Sequence, residues 1–523
     1  MNELRKTEPL ETPRVFLCSP PHSNFKFVED FFGPLPSLSR ILSQCRKLGF
    51  KSIIFEKIPS VGFSKEDDDV LYSQKNGMTS VELVRLSFFT QELKTLENLE
   101  TVDDSSFLGY AIVKSNTFEK DSVGHRILRK EKRWHVFESV IQSARHDNNY
   151  VHVRKKYEVS INKREFSIAG NLYCQQNALT YVCAHVALRT ALSAILSDGD
   201  ISYSEMNSIL EKNAIPHGIG DELGEAQIIK IIEAKELTVF KAAYSDDPKY
   251  ENPKVPYHKY IYAGIESGLP VLLGAQFPVG GHIIPILGHT FNEDTWVPYA
   301  DASYFRIGAD TGFISSETWV STYIGHDDNF GSNFCIPRNY LSGKQILVLI
   351  IAPKECQYDA IEAEAIAIDY LYSIFPHLTN LDSSFWVQKL LLACREFKVV
   401  LRASLINRED YLKHLLGMED WQGNRITEKL VEGINNLLVP NGELFWMVEV
   451  SHPELFPANN RKLGEILLKA TIKPEPQRDY KNFVLARLPE NFYILMSVEK
   501  SIDPVYYNLN SPLKDHVAVY SKT

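Results

Sequence analysis

Closely spaced cysteine pairs are missing from this 523-residue chain: Cys18, Cys45, Cys174, Cys183, Cys335, Cys356 and Cys394 are scattered and odd in number. That distribution argues against a disulfide framework and against a zinc ribbon, and it fits a reducing compartment, so a cytoplasmic location is expected. Long apolar runs are missing too. The longest obvious one, residues 345–353, is too short to span a bilayer, and the start, residues 1–16, has no apolar stretch of the kind a secretory signal carries. Surplus positive charge is absent. With 56 Lys and Arg against 66 Asp and Glu the net charge is −10, which gives no support for general nucleic-acid binding. No internal repeat or low-complexity segment appears, so solenoids and disordered tracts are not indicated.

What is present is the composition of a globular protein, 44% hydrophobic and 23% charged. The length exceeds what one core holds, so several domains are expected. Residues 1–115 read as an N-terminal α/β region: short apolar runs at 15–18, 51–58 and 107–113 flank a helical spacing at 37–48, with Leu38, Ile41, Leu42 and Cys45 on one face. The acidic run Glu66-Asp67-Asp68-Asp69 reads as a solvated loop. Residues 116–164 form a basic connecting segment, read as a bridging or docking surface for a possible protein partner.

Residues 165–340 change from helices to strands, the pattern of an α+β domain. Helices are expected at 183–196, 204–213 and 224–235, with Ser204 and Asp221 as N-caps. Strands are expected at 271–275, 280–289 and 296–301, and residues 329–340, rich in Gly, Asn and Pro, look like a boundary. Residues 341–523 form a C-terminal α/β region, opening with a strand at 344–351 and a helix at 358–375.

The central region carries the chemistry. From Cys183 onward the chain is small, apolar and rich in helix formers, and Cys183, Ala187 and Ala191 share one face. A cysteine at a helix start meets the positive end of the macrodipole, which favours thiolate over thiol; its plainer role is a small buried hydrophobe. A nucleophilic thiol needs a base, a group that holds the base, and a donor to the oxyanion. Gln176, or its neighbour Gln175, precedes the cysteine and can donate to the oxyanion. His282 follows Gly280-Gly281 at a strand start. Asp301 ends the next expected strand and would hold the histidine, with Asp310 as a fallback. His185 lies two residues from Cys183, on another helix face, and His289 is an odd number of positions from His282, so it points to the other side of a regular strand. Cys174, Cys183 and His185 lack zinc-site spacing, and neither a metal nor a cofactor is expected.

The run Gln175-Gln176-Asn177 through Val182-Cys183-Ala184-His185, together with Gly281-His282-Ile283, resembles the papain-like cysteine peptidase superfamily, closest to the prokaryotic branch that includes the bacteriocin-leader-processing peptidases. The order there is an oxyanion Gln, a helix-start Cys, a Gly-His strand, then Asp or Asn. The resemblance covers residues 165–340 and departs from the papain pattern in a longer Gln-to-Cys gap and in Ala184 after the cysteine. It implies a papain-like domain in which Cys183, His282, Asp301 and Gln176 hydrolyse a protein or peptide substrate. Two rivals stand beside that expectation: acyl transfer of the transglutaminase or deamidase type by the same residues, and a catalytically silent interaction module of the same fold.

Overall fold

The structure is a computed structural model describing residues 3–18, 24–74, 78–121, 128–142, 149–151, 155–177, 182–197, 199–215, 222–277, 280–291, 312–341, 345–378, 385–417, 425–456, 462–474, 480–489, 491–494 and 507–508. Helix and strand occur in nearly equal amounts, 35% and 36%. Among the described residues only Ile314–Ser315 alongside Val400–Asn407 pairs in parallel. Equal content with antiparallel pairing is α+β rather than a doubly wound parallel fold.

The N-terminal sheet runs Arg14–Leu17, Ser52–Ile58, Met78–Phe89, Phe107–Asp121, Leu128–Ile141 and Leu172–Tyr173 in that spatial order. Its strands bury both faces. Ile53, Val84, Leu86, Ala111 and Val113 pack under helices Asn24–Phe32 and Pro36–Lys47. The alternate residues Ile54, Leu83, Tyr110 and Ile112 meet the hairpin of Lys156–Ile161 and Arg164–Ala169 on the other side, as the two-residue period of a strand requires. Two expectations change here. Within 116–164, residues 116–121 and 128–141 are strands of this sheet and 149–151, 156–161 and 164 lie in other strands, instead of forming a connecting segment, and part of their charge is spent locally: Lys132 lies 2.5 Å from Glu82 and over the Trp134 ring. The acidic run is not a solvated loop. It sits in helix Phe63–Gln74, where Asp67 and Asp68 are buried and both pair with the buried Lys114, at 2.8 and 2.7 Å. A buried ammonium needs such partners to offset its desolvation.

The central sheet has the order Leu237–Tyr244, Ile346–Pro353, Val271–Phe277, Gly280–Phe291, Val320–Asp327, Gly331–Pro337, with Asn149–Val151 also pairing to Gly280–Phe291. Strand Ile346–Pro353, expected to open the C-terminal region, lies between two central strands, so the boundary at 340/341 cuts this sheet. Helices Cys183–Ser193, Tyr203–Lys212 and Glu225–Ala234 cover one face through Ala187, Leu188, Leu192, Met206 and Ile231. Ser202, not Ser204, caps the second of these, accepting the Glu205 N–H at 3.1 Å. The other face packs on helix Tyr257–Glu266 and on the C-terminal region, sharing one continuous core with it. That region has its own sheet, from Val400–Asn407 through Leu444–Ser451, Gly464–Lys469 and Phe483–Leu488. Helices Ala360–Leu378 and Phe385–Arg395 lie on the side toward the central sheet. No described helix is long and apolar enough to cross a membrane.

Candidate functional site

Cys183 is the first residue of helix Cys183–Ser193, which forms because Ala, Leu, Val and Arg dominate it and no Gly or Pro interrupts it. The helix is wedged between two bodies. Ala184, Ala187 and Ala191 lie against the central sheet, while Val182 and Val186 reach the core of the N-terminal sheet. The preceding residue, Val182, makes no side-chain cap hydrogen bond, so no side chain at that position takes up the first-turn N–H groups. Cys183 is half-buried. Cys45, Cys174, Cys356 and Cys394 are buried, and burial pushes Cys18, Cys174, Cys356 and Cys394 up to about 12 and Cys45 higher still. Cys174 is therefore a poor nucleophile, as its loop position suggested.

His282 stands at the start of strand Gly280–Phe291, beside Val271–Phe277, where it pairs with Ala275. Gly280 precedes it with φ +136°, a conformation that strongly favours glycine. The imidazole and the Cys183 thiol border the same cavities, and their interaction raises the pKa of the ring. Its Nε2 lies 3.3 Å from Asp327 Oδ2 and 3.4 Å from Asp328 Oδ1. The reason is topological: strand Val320–Asp327 runs antiparallel to Gly280–Phe291, so its last residue comes level with the start of the histidine strand. Asp327 is fixed from behind as well, its Oδ1 accepting the N–H of Asn329 at 2.8 Å and of Phe330 at 3.0 Å.

The electrostatics follow. Burial lowers the His282 pKa, but hydrogen bonds with Asp327 and Cys183 and the charges of Asp328 and Asp327 lift it to about 10. Burial raises Asp327, and its hydrogen bond and attraction to His282 more than reverse this, leaving it below the ordinary carboxylate value. Burial pushes Asp328 up to about 6, opposed by His282 and assisted by the Asp327 charge. The ligand atoms of His282, Asp327 and Asp328 all lie within 4.8 Å of one another, close enough for a cation. A cation there would have to displace the proton that these carboxylates favour on the ring.

The two glutamines separate. Gln175 Oε1 accepts the Val136 N–H at 3.0 Å, tying it to the N-terminal sheet. Gln176 lines the cavity that holds Cys183 and His282, and its Nε2 donates to Asn329 Oδ1 at 3.1 Å. Asp301 and Asp310, and the strand expected over 296–301, lie outside the described residues. Among the described residues the carboxylates against His282 are Asp327 and Asp328, which the sequence reading passed over. The available signal was Asp327-Asp328-Asn329 closing a strand just before Gly331. His289 lies on the far side of the sheet from the site, buried against Glu266, and His185 is buried with Nε2 3.0 Å from Asn207 Oδ1.

The cleft opens on both sides of Cys183 and His282. One cavity, of about 510 Å³, is walled by Leu273, Ile284, Phe334, Ile336 and Leu341, with the exposed rings of Phe330 and Tyr340 at its rim. The other, of about 520 Å³, is bordered by Glu222, Glu225, Gln276 and Gln345. The arrangement sets a thiol beside an imidazolium that the carboxylates stabilise. It also leaves room for an extended chain to cross the sulfur. Comparison of the chain with protein-family models, with curated proteins and with solved structures finds no match.

Proposed function

We propose that the chain is a thiol-dependent hydrolase of papain-like type acting on a peptide or protein substrate. The observation that carries this reading is the alignment of a helix-start thiol, Cys183, with an imidazole whose Nε2 faces the Asp327 carboxylate. With Nε2 turned to the acids, Nδ1 is the nitrogen left to exchange the thiol proton. The thiolate adds to the substrate carbonyl, and the oxyanion meets the N–H groups of the first helical turn and the second amide hydrogen of Gln176, whose first is given to Asn329. The imidazolium then protonates the leaving amine. Water, deprotonated by the same ring, releases the acyl group from sulfur and restores the free thiol.

The apolar cavity favours substrates carrying a bulky aliphatic or aromatic side chain near the scissile bond, and the two-sided cleft favours an extended backbone. The test is incubation of the full chain and of Cys183→Ala with a peptide library, read by mass spectrometry. New termini made by the wild type alone support the reading; identical spectra for the two proteins defeat it. Addition of hydroxylamine separates hydrolysis from acyl transfer, because a transferase passes the acyl group to the amine in preference to water.

A further inference from the structure

The turn that carries Asp327 lies at the free edge of the central sheet, between strands Val320–Asp327 and Gly331–Pro337. An edge hairpin has a sheet neighbour on one side only, yet this one must keep a carboxylate in place. Its other side is gripped by the N-terminal domain. From helix Pro36–Lys47, Arg40 donates through Nε to the Ser332 carbonyl at 2.5 Å and through a terminal nitrogen to the Asn333 carbonyl at 2.6 Å. One helical turn on, Gln44 donates to Ser332 O at 2.9 Å and to its Oγ at 3.0 Å, and accepts from Asn333 Nδ2 at 3.1 Å. The approach is close: at Gly331, where φ is +103°, a Cβ would fall 2.8 Å from Arg40 Cδ. Tyr173, on the last strand of the N-terminal sheet, donates its hydroxyl to the Asp327 carbonyl at 3.4 Å.

The thiol side of the site is held by the same body. Arg189, on the cysteine helix, is buried and pairs with Glu138 of strand Leu128–Ile141 at 2.5 Å and with Asp200 at 3.0 Å. Arg5, near the chain start, bridges the same two acids at 2.9 and 3.1 Å. We propose that the N-terminal domain is an active-site clamp, in which Arg40 and Gln44 are positioning residues that set the Asp327 turn against His282 while Arg189 and Glu138 set the Cys183 helix. The clamp rests on the reading of Cys183, His282 and Asp327 as the reacting set. It makes the N-terminal domain part of the catalytic unit and not an appended module.

The test is the full-length Arg40→Ala/Gln44→Ala double variant, with two substrate-free readouts. One is the rate of Cys183 alkylation by iodoacetamide at pH 6, mapped to residue. The other is the titration midpoint of His282 by NMR on histidine-labelled protein. A loosened turn draws Asp327 away from the ring, so alkylation slows by roughly ten- to a hundredfold, the scale of a misplaced reacting group, and the His282 midpoint falls. Arg40→Lys, which keeps a cation able to reach either carbonyl, recovers part of both. A folded double variant with unchanged alkylation and an unchanged midpoint overturns the clamp. Should the double variant not fold, Gln44→Ala alone, at a half-buried position, is read in the same way. If iodoacetamide fails to single out Cys183 even in the wild type, the hydrolase reading falls, and the His282 titration still decides the clamp.

Discussion

Asp327 meets His282 across two neighbouring antiparallel strands, one oxygen 3.3 Å from Nε2 and the other held by the backbone N–H groups of Asn329 and Phe330. A carboxylate fixed at both ends selects one ring orientation and one proton position. Asp327→Ala is therefore expected to lower turnover by roughly a hundred- to ten-thousandfold, the range assigned to positioned acid–base groups, with a small change in substrate affinity. Asp301→Ala is the matched control. Steady-state kinetics on both variants checks this, and a greater loss in Asp301→Ala would return the role to that residue.

The histidine proton gives a pH signature. Because His282 is lifted to about 10, the imidazolium that protonates the leaving group persists through neutral pH and is lost as pH rises through that value. The alkaline limb of kcat/KM is expected near pH 10. Asp327→Asn removes a hydrogen-bonded charge that raises the ring, so its limb moves to lower pH. Asp328→Asn removes the second facing charge and moves it in the same direction. A limb that stays in place in both variants would mean that another group governs it.

Thiol labelling separates the cysteines by burial. Cys18, Cys45, Cys174, Cys356 and Cys394 are held as thiols by burial, whereas Cys183 borders an open cleft beside a protonated imidazole. At pH 6, limited iodoacetamide treatment followed by peptide mapping should find the label at Cys183, with Cys335, which is exposed, as the main rival among the described residues. Labelling spread evenly over Cys174 and Cys394 would contradict the pairing with His282.

Local signals in the chain carried much of this organisation. The helix beginning at Cys183 and the strand beginning at Gly280 were legible because the one has helical spacing and the other an apolar run opened by two glycines. Which carboxylate reaches His282 was not, because it depends on which strand becomes the sheet neighbour. The sequence offered a nearby apolar run at 296–301, which lies outside the described residues, and the described neighbour that brings a carboxylate to the ring is Val320–Asp327, set by long-range pairing that no local pattern records. The burial of Asp67 and Asp68 was hidden for the same reason: their partner Lys114 lies on a strand of the sheet. The boundary near 340 failed because turn residues at 329–340 mark a hairpin as readily as a linker.

Gln176 and Gln175 make a paired test of the oxyanion donor. Gln176 faces the cavity, while Gln175 is committed to the Val136 backbone. Gln176→Ala should lower kcat by roughly a hundredfold or more, the loss seen when one oxyanion donor is removed, without a matching rise in KM. Gln175→Ala should lower the melting temperature and spare kcat. Kinetics and thermal denaturation of both variants decide the assignment, and a reversal of the two effects would exchange the roles.

The last prediction concerns the joint between the central and C-terminal sheets, a buried chain of charges. Arg402 contacts Glu266 at 2.5 Å and Glu449 at 2.8 Å. Glu266 also meets His289, and Lys462 links Glu449 to Glu465. Burial raises Glu266, but the Arg402 charge and the His289 contact outweigh it and hold the carboxyl well below its ordinary range. A depressed carboxyl contributes stability that is complete above its unfolded value, near 4.3, and is lost as pH falls through the folded value. Arg402→Met leaves Glu266 and Glu449 with a net unpaired buried charge, which costs about 3–5 kcal/mol at neutral pH. Glu266 then has a raised pKa and escapes the cost by taking a proton, so the variant regains part of the deficit as pH falls. The stability difference between wild type and Arg402→Met, measured by urea unfolding, should be largest at pH 7 and smaller at pH 4. A difference that does not change with pH would mean that the loss comes from packing around the arginine stem and not from the buried charges.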